Sequence, residues 1–109
     1  MHKTVTMVRI YLREADQGRH DGLLQEIMSI LHDEHRVHGV TVFRGIAGFG
    51  RHGEIHSADL LRLNVHLPLV IEFYDEPEVV DAAVAALSGL VPGGHLLRWN
   101  AQCECPDAS

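Results

Sequence analysis

Between positions 44 and 53 the chain reads Arg-Gly-Ile-Ala-Gly-Phe-Gly-Arg-His-Gly. Gly45, Gly48, Gly50 and Gly53 carry no Cβ, so successive backbone N–H groups can close around an anion as a concave nest. Arg44 and Arg51 bracket the run, and a guanidinium fork matches phosphate oxygens. A second turn, Ser88-Gly89-Leu90-Val91-Pro92-Gly93-Gly94-His95, offers another wall. His95 there can donate to a phosphate once it is protonated. Taken alone, both stretches also fit ordinary connections: a hairpin loop in need of positive φ, and a helix C-cap followed by a tight turn.

The histidines are the other chemical feature, nine in 109 residues. His32 and His35 are three apart on a helical stretch, as are His35 and His38, so each pair shares a face. Two imidazoles so placed can hold a divalent transition metal, although a solvated polar helix face accounts for them more simply. His52 and His56 fall in the glycine-rich stretch, where packing does not call for them, and complete the candidate metal set. Cys103 and Cys105 read as two reduced thiols in a frayed tail, with a metal or redox role as the alternative. Glu72 sits among Val70, Ile71 and Phe73, where an isolated carboxylate is costly, so a partner such as Arg9 or Arg62 is expected. No nucleophile elbow and no Gly-Lys-Ser/Thr phosphate motif is present, and the expectation is a protein that is not an enzyme.

Elements must hold these residues in place. Val5 to Arg13 alternates, with Val8, Ile10 and Leu12 on one side and Arg9, Tyr11 and Arg13 on the other, which predicts a strand. Glu14 to His20 is polar and loop-like. Asp21 can cap a helix running to about His38, with Leu23, Leu24, Ile27, Met28 and Leu31 as its apolar face. Gly39 is placed to end it in a left-handed turn. Val40 to Ile46 is a second strand, and Ala47 to Asp59 a long loop. Leu61 to Tyr74 is a third strand, in which Pro68 marks a bulge or an edge because it cannot donate to a ladder. Glu76-Pro77 starts a second helix, Val79, Val80, Ala83, Val84 and Leu87 form its buried face, and Ser88-Gly89 ends it. After the turn at Val91 to Gly94, His95 to Gln102 is a last strand, and 103–109 a frayed tail.

The order β-α-β-β-α-β predicts an α+β, ferredoxin-like domain across 1–109: a four-stranded antiparallel sheet with two helices on one face. A core this small makes oligomerisation reasonable. The formal net charge of −6 argues against a broad nucleic-acid surface. No apolar run reaches the roughly 18 residues of a membrane span and no signal-peptide layout is visible, so a cytoplasmic location is expected.

Gly48-Phe49-Gly50-Arg51 resembles the base of the long loop in PII signal-transduction proteins. Leu67-Pro68, Ile71-Glu72 and Asp75 follow at similar spacing, and Ser88 to Leu96 resembles their phosphate-contacting turn. An uncharacterised PII-like family, a domain of unknown function related to the PII nitrogen-regulatory proteins, is a closer match. It is similar to Val8-Arg9-Ile10-Tyr11, Gly39 to Gly50, Ile55-His56 and Leu67-Pro68, and the resemblance runs from Val8 to Trp99. It implies a ferredoxin-like homotrimer with an adenine nucleotide (ATP, ADP or AMP) between subunits. The implied contacts are Arg44, Gly45, Gly48, Phe49, Gly50, Arg51, His52, Gly89, Gly94 and His95. Glu54 and His56 in the loop would meet a protein partner, for which a membrane transporter is the candidate. The chain also departs from PII: Leu69 and His95 stand where PII proteins have lysines, His52 replaces a glutamine, and the loop has no tyrosine for uridylylation. A His-rich trimeric metal sensor is the alternative reading.

Overall fold

The computed structural model describes residues 2–13, 21–45 and 68–104. The elements are β1 (His2–Arg13), α1 (Asp21–Ser29) continued by a π-helical turn (Ile30–Glu34), β2 (Val40–Arg44), β3 (Pro68–Asp75), α2 (Pro77–Leu87) and β4 (Leu96–Glu104). The four strands form one antiparallel sheet in the order β2-β3-β1-β4. This is the ferredoxin-like arrangement expected from the sequence.

The register of the central pair decides which residues face which way. Val8, Ile10 and Leu12 stand opposite Phe73, Ile71 and Leu69, and all six are buried. Both helices cover this side. Ile27 and Leu31 from the first, and Val80, Ala83 and Leu87 from the second, close one apolar core over it. Pro77 opens α2 behind an extended Glu76, where its missing N–H costs no hydrogen bond.

Three boundaries differ from the sequence expectation. The first helix does not run on to His38 as a regular α-helix. It widens after Ser29, His35 N–H donates to Ile30 O at 3.1 Å, and Val37 N–H reaches Leu31 O at 3.0 Å. The left-handed residue that turns the chain is Arg36, at φ 48°, and not Gly39. A side chain in that region costs about 1–2 kcal/mol. Pro68 marks neither a bulge nor an edge: it is the first residue of β3, which lies between β2 and β1 in unbroken register. Finally, Cys103 and Glu104 are not frayed but paired in β4 with Lys3 and His2. Residues 46–67, which include the rest of the long loop and Leu61 to Leu67 of the expected third strand, lie outside the described residues, as does Cys105.

Just beyond the Arg36 turn stands Asp75, a buried carboxylate at the end of β3. Its Oδ2 accepts the backbone N–H of His38 at 2.9 Å and its Oδ1 that of Glu76 at 2.7 Å. One side chain thus ties the entry to β2 to the start of α2. Asp75→Ala removes the acceptor of two part-buried N–H bonds, and the expected loss is about 2–3 kcal/mol. Urea denaturation checks this: the midpoint should fall with an unchanged slope.

Candidate functional site

Antiparallel order brings four strand ends together. β1 and β2 finish, and β3 and β4 begin, at the same end of the sheet. Arg44 and Gly45 close β2 there, and Gly94 and His95 lead into β4. The two glycine-bearing stretches therefore share an end. They do not share an edge, because β2 and β4 are the outermost strands. Three strand spacings separate them, about 14 Å.

The β4 side of this end is a hydrogen-bonded turn. His95 N–H donates to Pro92 O at 3.2 Å, and Gly94 sits at φ 84°. Gly94 is the one described glycine whose backbone needs the left-handed region. Gly89 does not use it, contrary to the left-handed C-cap reading; α2 ends through Ser88, whose Oγ donates to Ala85 O at 2.9 Å. A Cβ built at Gly89, Gly93 or Gly94 would meet nothing within 4 Å, so this turn faces open space.

His95 is pinned to β1. Tyr11 N–H donates to His95 O at 2.9 Å, and the His95 ring nitrogen Nδ1 lies 2.9 Å from Tyr11 O. A carbonyl only accepts, so Nδ1 carries a proton. In the neutral ring Nε2 then holds the lone pair; in the cation Nε2–H becomes a second donor. Nε2 is the atom this histidine has left for a ligand.

Gly48, Phe49, Gly50, Arg51, His52, Glu54 and His56 lie outside the described residues. The candidate metal residues His32 and His35 fall at the opposite end of the sheet from Arg44 and His95, since α1 runs away from that end to lead into β2. His32 Nδ1 donates to Asp33 Oδ1 at 2.6 Å, and Ser29 Oγ donates to Asp33 Oδ2 at 3.0 Å. The His32 ring first, and then Ser29, hold the Asp33 carboxyl below its ordinary range. Among the described residues no three His, Cys, Asp or Glu side chains gather as a metal site. His38, grouped with the helix-face histidines in the sequence, instead stacks on Tyr74 at 6.4 Å and sets Nδ1 3.4 Å from Asp75.

The sheet face away from the helices is a feature that sequence reasoning missed as a surface. Tyr11, Phe43, Leu97 and Trp99 occupy outward register positions and are 39–52% exposed. At its centre Arg9 donates to Glu72 Oε2 from Nε at 2.9 Å and from Nη2 at 2.5 Å. The Arg9 guanidinium carbon also lies 5.3 Å from the Trp99 ring centroid. Glu72 first, and Tyr11 second, hold Arg9 above its ordinary pKa. The expected partner of Glu72 is thus Arg9. The signal for the face was the aromatic residues at the polar positions of the β1 and β4 alternation.

A family model matches residues 5–103: the chain belongs to the DUF190 family, described as "Uncharacterized ACR". It is 34% identical over 91 residues to the UPF0166 protein MJ1524 of Methanocaldococcus jannaschii, spanning 84% of this chain and 82% of that protein. Among solved structures it is similar to CPII from Thiomonas intermedia K12, bound to ADP and bicarbonate, with a TM-score of 0.68, 17% identity, and coverage of 97% of this chain and 94% of CPII. The divalent ion tolerance protein CutA1 from Ehrlichia chaffeensis also matches, with a TM-score of 0.57, 11% identity, and coverage of 95% and 85%. No helix among the described residues is long and apolar enough to cross a membrane.

The His95 geometry has a direct check. Long-range proton–nitrogen NMR on ring-labelled protein, at a pH where the imidazole is neutral, should show a protonated Nδ1 and a bare Nε2. A protonated Nε2 would contradict the bond to Tyr11.

Proposed function

We propose that this DUF190 protein is a PII-like regulator that binds an adenine nucleotide between the subunits of a homotrimer. The observation that carries the reading is the position of Arg44-Gly45 and Gly94-His95: the same end of the sheet, opposite edges. Two walls about 14 Å apart in one chain meet only when the β2 edge of one copy approaches the β4 edge of the next. Such a contact joins two different surfaces, and repeated around an axis it closes a ring. The resemblance to PII-like proteins supports three copies as the number in the ring. The ADP on CPII supports an adenine nucleotide as the ligand.

In this reading Gly94, Gly93 and His95 of one copy face the glycine-rich stretch that follows Arg44 in its neighbour. Backbone N–H groups take the phosphate oxygens, Arg44 and Arg51 neutralise charge, and His95 Nε2 adds a donor when the ring is protonated. Binding then changes the shape of the 47–59 segment, and a protein partner reads that shape; a membrane transporter is the candidate partner. The role is regulatory and not catalytic, and the location cytoplasmic.

Titration calorimetry with ATP, ADP, AMP and cyclic AMP tests this. At least one should bind, and His95→Ala should weaken it about tenfold, the worth of one hydrogen bond to a charged group. Arg51→Ala should weaken it by at least as much. Absence of heat with all four, or both variants binding as the parent does, would remove the reading.

A further inference from the structure

We infer that the site at the Gly94–His95 turn takes up a proton together with its anionic ligand, and that His95 Nε2 receives it. This rests on the nucleotide reading above and adds how that site is regulated: its affinity follows pH through one ring. The ring is held for the task. Tyr11 N–H donates to His95 O and His95 Nδ1–H donates to Tyr11 O, both at 2.9 Å, so backbone and side chain are fastened to the same residue of β1. Nδ1 carries its proton in this neutral tautomer and in the cation, so that bond is made in both states. Only Nε2 changes. Neutral, it holds a lone pair and meets a phosphate oxygen as acceptor against acceptor. When solvent gives it a proton, an N–H bond forms on that lone pair, the ring gains one positive charge, and the new N–H donates to the oxygen.

Among the described side chains, nothing resident supplies the counter-charge. The turn from Ser88 to Gly94 has no titratable group. On β4 Arg98 is engaged with Asp81 of α2 at 2.9 Å, and on β1 Arg9 is engaged with Glu72. Glu78 lies in the first turn of α2, at the end away from Gly94. The Tyr11 phenol shares a hydrogen bond with Arg9. Across the proposed ligand stands Arg44 of the neighbouring copy, a cation that opposes a second positive charge while the site is empty. A phosphate group reverses this, because it answers Arg44 and gives Nε2–H an acceptor. A histidine paired with a resident carboxylate keeps its proton with or without ligand; His95 gains its proton with the ligand. Linkage then makes binding tighter as pH falls.

The test is calorimetry of the full chain with ADP in buffers of unlike ionisation enthalpy, repeated between about pH 5.5 and 8.5, the span over which imidazoles titrate. The parent should lose about tenfold in affinity from the low end to the high end. Midway it should take up about half a proton per site, the amount linked to a tenfold span. His95→Gln should bind as weakly at the low end as the parent does at the high end, without that uptake. His95→Lys, a permanent cation, should bind at the high end as tightly as the parent does at the low end, also without it. The terminal phosphate titrates near pH 6 as well, but all three chains share that contribution, and their difference isolates the ring. A direct readout guards against a folding defect in the variants: proton–nitrogen NMR of the parent, at a pH where the unliganded ring is neutral, should show Nε2 gaining a proton as ADP is added. ADP binding with no proton uptake, uptake that persists in His95→Gln, or a bare Nε2 in the saturated complex each overturn the inference and leave the nucleotide reading standing. If ADP, ATP, AMP and cyclic AMP all give no heat, the nucleotide reading falls and this inference falls with it.

Discussion

Everything in this molecule follows from one constraint: two helices cover a four-stranded sheet on one side only. The pairing of β1 with β3 sets which side that is. Val8, Ile10 and Leu12 meet Phe73, Ile71 and Leu69 under the helices, so Arg9 and Tyr11 must meet Glu72 and Val70 on the other face. A slip of one residue would send the aliphatic row to water and the ion pair into the core, which no cross-strand contact could offset. The core and the outer face are thus two outcomes of a single register choice. The charged pair that a solitary reading of Glu72 would call a hazard is the outer face's share of that choice.

The same pairing fixes the ends. In this strand order the exits of β1 and β2 and the entries of β3 and β4 fall together at one pole. The other pole is built differently. There Asp75 takes the N–H groups of His38 and Glu76, and Arg36 turns the chain. A buried, doubly bonded carboxylate and the stacked His38 tie this end down, while at the other end Gly94 turns the chain in the left-handed region.

Much of this was legible in the sequence. Period-two alternation in 5–13 and 69–74 located the central strands, and Pro77 located the second helix, because those signals come from burial and from a fixed φ that tertiary structure does not override. Gly39 misled, since glycine permits a left-handed turn without requiring one; the residue that adopts it is Arg36, two positions before the His38 N–H that Asp75 accepts. Pro68 misled in the same way. Its missing donor rules out a strand interior but not a strand's first residue, and only the strand order separates these cases. Cys103 looked like tail because nothing local announces that Lys3 will pair with it. For the site, the sequence indicated both glycine turns but not their separation, which depends on which strands are outermost. Nor did it indicate that His95 is oriented by a carbonyl 84 positions away.

That orientation bears on what this end of the sheet can recognise. A lysine ammonium is a permanent point charge with three donors on a flexible stem, and it seeks phosphate whatever the solution conditions. His95 has one nitrogen spoken for and one direction left. In the neutral ring that direction is an acceptor, suited to a hydroxyl or amino group; in the cation it is a donor, suited to an oxyanion. Replacing lysine by a histidine pinned through Nδ1 therefore does more than weaken a phosphate contact. It makes the preference for anion over neutral polar group a function of the ring's protonation, beside a turn set by Gly94 at φ 84° and by the bond from His95 N–H to Pro92 O. The residues of this chain decide how strictly the site demands a charge.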